Sequence, residues 1–600
     1  MINSPASTWV SCIPSLDKLG VVPTELDPSF IAQNWFSSFS KSIGNTEKTL
    51  DFLHPNALWR DLLALTWDIR TLEGSEKIRM LLDKRNSPQM RALKQKEFIQ
   101  LQMPCPDVIW ILGTFEFDVD SGHCSGVFRL VPTSSGEWKA FTIFTNLEVL
   151  ANFPPAIGPL RSRQLVSGLA WAENLRRERK IERQDPSVLI VGAGQSALSL
   201  AARLKYLNVP TLMVEKDLRI GDNWRRRYDA LCLHFPVWGD HMPYLPFPST
   251  WPLYTPSLKM ADWLESYAAI LELPVWTSSI VQSAVQLDNN KWSVRIRTHD
   301  GTLRIFVVNH LVFATGIGDG NPNIPDIQNL NLYTGITLHS SQYKRADEYL
   351  GKKVLVIGSG NSGHDIASDL ARKNIDTTMF QRSSTFVMNL DRHWKYLGGS
   401  FYNEKGPPLE LADNLFNSIP HLLLVGGLAQ HSTKAILEDY SDTLAKLNTV
   451  GFRTNSGIKE AGILLQIKER AGGHYFDTGG SQLIIDGKIK LKNDSTIAAF
   501  YQNGIEFANG SRVEADVIIY ATGVGDIREP IRQICGDEVA DTCPRLMGVN
   551  SEGEMNIYRP LHRTGLWFIG GSFQANRFYS HHLALQIKAM EEKIPFERYM

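Results

Sequence analysis

One motif, present twice, constrains the fold of this 600-residue chain more than any other feature. The run SVLIVGAGQSA (187–197) leads into LSLAARLKYL, and KVLVIGSGNSG (353–363) leads into HDIASDLARK. Each begins with the short continuous apolar stretch of a strand buried on both faces, then turns on glycine into a helical pattern. The first glycine (Gly192, Gly358) permits the tight turn, and the second (Gly194, Gly360) lets the backbone approach a pyrophosphate. A small third residue (Ala197, Gly363) lets the helix pack on the strand. The helix N-terminus adds amide donors and a favourable dipole for phosphate. An Ala-Thr-Gly at 314–316, containing Thr315, recurs at 521–523 with Thr522. Two fingerprints with two such turns predict an α/β protein with two Rossmann-like dinucleotide-binding domains.

The two units differ in the residue that would meet a ribose. The second strand of the first unit ends at Glu215, 23 positions after Gly192. A carboxylate there accepts both hydroxyls of an adenosine ribose and repels a 2′-phosphate. In the second unit, Arg382-Ser383 follows the strand, with Arg382 24 positions after Gly358. A guanidinium suits two-pronged phosphate recognition; the other reading of Arg382 is a surface charge at a strand end. Asn361 and Ser362 fit the pyrophosphate turn. The first unit therefore suits FAD and the second NADPH, and an enzyme holding both passes hydride from nicotinamide to flavin.

Composition excludes several alternatives. Lysine and arginine total 62 against 63 acidic residues, leaving no excess positive charge for nucleic acid or a polybasic membrane anchor. The six cysteines lie far apart without a C-x-x-C pair, which argues against a zinc site or a redox dithiol; no metal is expected. Residues 1–16 have no basic leader pattern, and the apolar run from His421 is too short to span a bilayer. The expectation is a cytoplasmic enzyme with a small-molecule substrate.

Residues 1–155 read differently. Helical spacing at 27–42 and 75–84 precedes strand-like runs at 107–116, 125–131 and 137–150, predicting an α+β unit. The stretch WRDLLALTWDIRTLEG (59–74) resembles the cone-shaped NTF2-like (SnoaL-like) family. That resemblance implies a catalytic, binding or structural cone. Asp61, Asp68 and His123 are its candidate acid–base groups, while Arg60/Asp61 and Asp68/Arg70 read more simply as structural ion pairs. A scaffold or homodimerisation role is favoured. A helical linker follows at 156–185, with a charged run, LRRERKIER (175–183), read as a solvated face.

Between the fingerprints lies YTGITLHSSQYK (333–344), which closely resembles the identifying motif F-x-G-x-x-x-H-x-x-x-[YF] of flavin-containing monooxygenases. Tyr333 replaces Phe. Tyr343 stands where Baeyer–Villiger relatives carry Trp, which argues against ketone-to-ester chemistry. GDNW (221–224) takes the place of the family's G-G-x-W, with Asp222 for a glycine. The stretches 228–236 and 245–254 resemble plant YUCCA-type enzymes, and GLWFIGG (565–571) resembles the C-terminal segment that returns to the flavin. A helix after Ser580 would then aim its N-terminus at the flavin.

The resemblance spans 186–600 and implies an FAD-binding domain at 186–345 and 522–600. An NADPH-binding domain at 346–521 is inserted within it, and that domain carries a helical insertion at 388–473. The insertion reads as a channel cap, as extra packing or as a dimer surface. The implied chemistry is reduction of FAD by NADPH and addition of O2 at the flavin C4a. Bound NADP+ shields the (hydro)peroxide, and one oxygen atom passes to a small organic substrate. N- or S-oxygenation, hydroxylation and oxidative decarboxylation remain open. The alternatives are an NADPH oxidase releasing hydrogen peroxide, or Baeyer–Villiger oxidation. The resemblance implies His339, Ser340 and Ser341 beside the nicotinamide cofactor. Trp224, Arg225, His234, Gly570 and Gly571 would lie near the flavin. Trp224, His234 and His339 are the catalytic candidates, although His234 equally reads as a hydrogen-bonded core histidine.

Overall fold

The computed structural model describes residues 23–84, 90–106, 108–181, 185–316, 322–595 and 597–599. Residues 1–16 read for a leader, Cys12, Asp107 at the start of one expected strand, and Glu182 and Arg183 of the charged run lie outside the described residues.

Two parallel five-stranded sheets organise the chain from Ser187 onward. The first runs Leu566–Phe568, His310–Phe313, Val188–Val191, Thr211–Val214, Val275–Trp276. The second runs Ile336–His339, Val517–Tyr520, Lys353–Ile357, Asp376–Phe380, Ile489–Lys492. In each, the fingerprint strand is central, and its apolar run is buried on both faces. The strand Ile336–His339 pairs with Val517–Tyr520, so the sheet pairing takes the chain out of the first unit before 336 rather than at 345. The strands Phe386–Met388 and His474–Phe476 pair in parallel. They form a neck from which the helices Leu409–Asn417, Ala429–Asp439, Ser441–Thr449 and Gly462–Arg470 project.

The N-terminal unit is a six-stranded sheet. Its order is Ile69–Glu73, Leu53–Leu62, Trp138–Leu150, Gly122–Pro132, Val108–Val119, Arg91–Cys105. Alternate side chains separate into two cores. Phe115, Phe128 and Ile143 face the helix Pro28–Ser42, where Trp35 and Phe39 stack at 4.7 Å. Trp110, Val127 and Phe144 face the rest of the chain. That second face is covered by the chain itself. The His582 Nε2 of the C-terminal helix Phe573–Glu591 lies 2.5 Å from Asn146 Oδ1, and Arg129 donates to the Leu415 carbonyl and Ser418 Oγ of the insertion.

The ion pairs expected within the strands are not formed. Adjacent strand residues point to opposite faces, so Arg60 and Asp61 do not meet. Arg60 instead binds Glu554 through two contacts of 2.7 Å, Arg70 binds Glu552, and Arg559 binds Asp68. Asp61 is buried and accepts from Thr66 Oγ1 at 2.7 Å and Thr145 Oγ1 at 2.5 Å. Burial raises its pKa against those hydrogen bonds.

The Arg60–Glu554 pair predicts a pH dependence. Burial alone would raise the Glu554 carboxyl, but the Arg60 charge and hydrogen bonds outweigh it and hold the pKa at about 2, from an ordinary 4.5. The folded state therefore binds fewer protons. The stabilisation is complete above 4.5 and is lost as pH falls toward the folded value. In Glu554→Gln, melting temperature should be lower than wild type at pH 6 and should fall less steeply between pH 5 and 3, as read by thermal denaturation. Parallel curves for the two proteins would refute this assignment. No helix among the described residues is long and apolar enough to cross a membrane.

Candidate active site between the two sheets

The C-terminal ends of both sheets line one cavity of about 1840 Å³. Its floor is set by matched glycine contacts. Gly192 has φ +103°, and a Cβ there would lie 2.7 Å from the Ala314 carbonyl oxygen; Gly358 has φ +123°, and its Cβ would lie 2.3 Å from that of Ala521. Each fingerprint turn thus sits directly against the Ala of an Ala-Thr-Gly, leaving room only for hydrogen. Ala197 and Gly363 lie behind the wall as packing residues; a Cβ on Gly363 would meet the Gly358 carbonyl at 2.2 Å.

The helices Gln195–Tyr206 and Asn361–Arg372 start at Gly194 and Gly360 with no side chain capping them. Their first amides are available to an anion in the cavity. Glu215 lines the cavity at the end of its strand, accepting from the Ala193 amide at 2.7 Å and the Asp217 amide at 2.9 Å. Burial raises its pKa, and these amide bonds oppose the rise. Across the cavity, Arg382 and Ser383 are exposed on its wall, and no carboxylate pairs with Arg382 among the described residues. Asn361 and Ser362 also line it, with Asn361 Oδ1 accepting from the Phe476 amide at 2.8 Å.

His339 closes the strand Ile336–His339. Its Nε2 lies 3.1 Å from the Gly523 carbonyl and its Nδ1 2.9 Å from Ser341 Oγ. A carbonyl only accepts, so Nε2 carries the proton and Nδ1 accepts from the hydroxyl. Burial lowers the imidazole pKa. Both ring nitrogens are engaged, which makes His339 a brace between its own strand and the second Ala-Thr-Gly turn. Ser340, Ser341, Thr315, Thr522 and Gly571 line the same cavity, while Gly570 lies behind it and accepts from Tyr558 OH.

The residues expected near the flavin are not all brought together. Trp224 lines the cavity and stacks on Phe573 at 6.1 Å. Arg225 does not line it. Its guanidinium turns away to Asp222, Asp262 and Glu265, and the next two residues, Arg226 and Arg227, reach the wall instead. His234 is also off the wall. Its Nε2 stands 3.8 Å from Asp365, and its ring meets Phe476 edge-on. The C-terminal helix begins at Phe573, not after Ser580, because the Ser572 hydroxyl caps it by accepting from the Ala575 amide. Ser580 is buried in its middle. The N-terminal acid–base candidates do not converge either: Asp61 is sealed in its core, Asp68 is paired with Arg559, and His123 sits outside with Asp118.

His474 is a wall residue that the sequence reading did not single out. It is buried, its pKa is lowered to about 4 by burial, and its Nδ1 has no hydrogen-bond partner among the described residues. Its signal was the Gly472-Gly473 pair before it, which opens the backbone at the neck.

Three buried polar atoms on this wall have no hydrogen-bond partner among the described residues: Thr315 Oγ1, Trp224 Nε1 and His474 Nδ1. Buried polar groups are normally satisfied. With two uncapped helix starts and turns that admit only glycine, they fit a cavity built around two dinucleotides.

A family profile described as "Pyridine nucleotide-disulphide oxidoreductase" matches residues 189–396. The disulphide in that description has no counterpart among the described residues, where no two cysteines are joined. The chain is 32% identical over 346 residues to the probable indole-3-pyruvate monooxygenase YUCCA4 of Arabidopsis thaliana, covering 75% of that protein and 56% of this one. It is 29% identical over 355 residues to the indole-3-pyruvate monooxygenase YUCCA1 of Oryza sativa subsp. japonica, covering 80% and 58% respectively. Among solved structures, a flavin-containing monooxygenase from Stenotrophomonas maltophilia aligns with a TM-score of 0.46 at 17% identity, covering 68% of this chain and 99% of that one. The chain belongs to the flavin-containing monooxygenase family, within its YUCCA-like group. It is an FAD- and NADPH-dependent oxidoreductase that inserts one oxygen atom into a small organic substrate.

Proposed function

We propose that FAD lies on the Gly192 side of the cavity and NADPH on the Gly358 side, and that the substrate is a small aromatic 2-oxo acid undergoing oxidative decarboxylation. The observation that carries the cofactor assignment is the opposed pair across one cavity, Glu215 on one wall and an unpaired Arg382 on the other. FAD and NADPH supply the redox and oxygen chemistry when bound; the chain binds, orients and excludes water. Gly192, Gly194, Glu215, Thr315 and Gly571 would hold the flavin nucleotide. Gly358, Gly360, Asn361, Ser362 and Arg382 would hold the nicotinamide nucleotide, with Ser340, Ser341 and the His339 brace between them. Trp224 would supply an aromatic wall on the flavin side.

The substrate class draws support from the two relatives named for indole-3-pyruvate. It also draws support from Arg470 and Arg545, exposed on the cavity wall and without carboxylate partners among the described residues. Tyr343, buried and donating to Asp369 at 2.7 Å, packs the second unit instead of facing the cavity. The test is NADPH consumption with mass detection of products across amines, sulfides, ketones and 2-oxo acids. Turnover of an aryl 2-oxo acid to the acid one carbon shorter, with CO2 release, is expected. A +16 product from an amine or sulfide alone overturns the substrate class, and NADPH matched wholly by peroxide on every compound overturns oxygenation.

The N-terminal unit we read as an NTF2-like cone serving as a scaffold, in residues 1–155, joined by the linker 156–185. Its interior is filled by aromatic side chains. Its outer face is already occupied by the chain's own C-terminal helix and insertion, which leaves that face no room for a homodimer.

A further inference from the structure

The buried guanidinium of Arg60 is where three separate parts of the chain meet the N-terminal sheet. Its Nε and one terminal nitrogen bind both oxygens of Glu554 at 2.7 Å, on the segment returning to the first sheet. The same terminal nitrogen donates to Tyr579 OH at 3.0 Å, on the C-terminal helix. The other donates to the Asn417 carbonyl, on the insertion carried by the second sheet. Only 5% of Arg60 is exposed, so these contacts form out of water and restrain one another.

Two of these contacts lead to the cavity wall, and the third ties in the insertion. Tyr579 lies in the helix whose start adjoins Gly571, a wall residue. Glu554 acts electrostatically on Lys468 in the helix Gly462–Arg470, whose last turn puts Glu469 and Arg470 on the wall. The insertion bound at Asn417 is held a second time, by Arg577 of the C-terminal helix. Arg577 grips Asp413 at 2.6 and 2.7 Å and donates to the Gly239 and His241 carbonyls of the first unit. An N-terminal strand thus ties an element of the second nucleotide-binding unit to the returning segment of the first.

We propose that Arg60 is a positioning residue for oxygenation: through Glu554, Tyr579 and Asn417 it fixes the two units in the relative placement seen here, on which exclusion of water from the flavin would depend. The residue touches neither cofactor nor substrate. Its effect should therefore appear in how long reduced flavin and oxygen are protected from wasteful peroxide release, and not in hydride transfer. The inference rests on the flavin assignment above, and its test needs no substrate.

Removing one charged partner would leave a buried charge unpaired and destabilise the fold, which confounds an activity readout. The informative variants are therefore the apolar double Arg60→Met/Glu554→Leu and the milder Tyr579→Phe, examined as full-length holoenzymes with flavin content and melting temperature recorded. With NADPH and O2 but no substrate, peroxide release should rise about ten-fold in the double variant and about two-fold in Tyr579→Phe. Anaerobic flavin reduction by NADPH should stay within about two-fold of wild type, as expected of a residue remote from the reacting atoms. A folded, flavin-loaded double variant with unchanged peroxide release overturns the proposal. So does a fall in flavin reduction that parallels any change in peroxide release. The flavin assignment fails separately, if Gly192→Ala retains FAD as tightly as wild type.

Discussion

Gly358→Ala should lower the rate of flavin reduction by NADPH by about 100-fold or more, while the purified protein remains yellow with a full complement of FAD. The backbone at Gly358 has φ +123°, a conformation that L side chains rarely adopt, and the new Cβ would sit 2.3 Å from the Ala521 carbonyl oxygen. That oxygen belongs to backbone, which cannot swing aside as a side chain would. Relief requires the Ala521–Gly523 turn or the fingerprint turn itself to move, and the turn presents the first amides of the helix Asn361–Arg372. The His339 Nε2 contact to the Gly523 carbonyl carries the displacement into the strand Ile336–His339. The first sheet has its own turn, built on Gly192 and Ala314, so flavin binding should survive. Visible absorbance reports FAD, and anaerobic stopped-flow reports reduction. Loss of both together would show that the two turns are one folding unit; loss of neither would remove the second fingerprint from the nucleotide site.

The nucleotide-binding sheets were legible because their requirements are local. A turn that admits only glycine, a four- or five-residue run buried on both faces and a small residue at the start of a helix are each written in consecutive positions. Other features depended on contacts that no spacing encodes. Arg60 finds Glu554 across 494 positions, so the strand showed only that it would not pair with Asp61, once its alternation was taken into account. In the run Arg225–Arg227, a short helical turn decides which side chain faces the cavity, and the carboxylates of Asp262 and Glu265 that draw Arg225 away come from a different helix. The strand Ile336–His339 follows the first unit in sequence yet adds to the second sheet, because its partner Val517–Tyr520 lies some 180 residues later. Ser572, in contrast, is legible: a serine directly before the helical pattern that starts at Phe573 is an ordinary N-cap, whereas Ser580 lies within that pattern.

Arg382→Ala should reduce kcat/KM for NADPH by about 100-fold and leave that for NADH within about two- to three-fold, so that the enzyme loses its discrimination and not its chemistry. The surroundings of the guanidinium decide this outcome. It is exposed on the cavity wall with no carboxylate paired to it among the described residues, beside Ser383. Its own main-chain carbonyl accepts from Arg453, which fixes the strand end while leaving the side chain free to meet a 2′-phosphate. NADH lacks that group, so removing the guanidinium costs it little. The effect should appear in KM and shrink with added salt, because the partner charges are solvated. Placing a carboxylate at the same position, Arg382→Glu, should go further and prefer NADH outright, since the wall would then repeat the arrangement that Glu215 already makes on the other side of the cavity. Equal losses for both cofactors would mean that Arg382 supports the fold of its loop. Unchanged preference would mean that the 2′-phosphate is read by another wall residue, such as Arg227, Arg470 or Arg545.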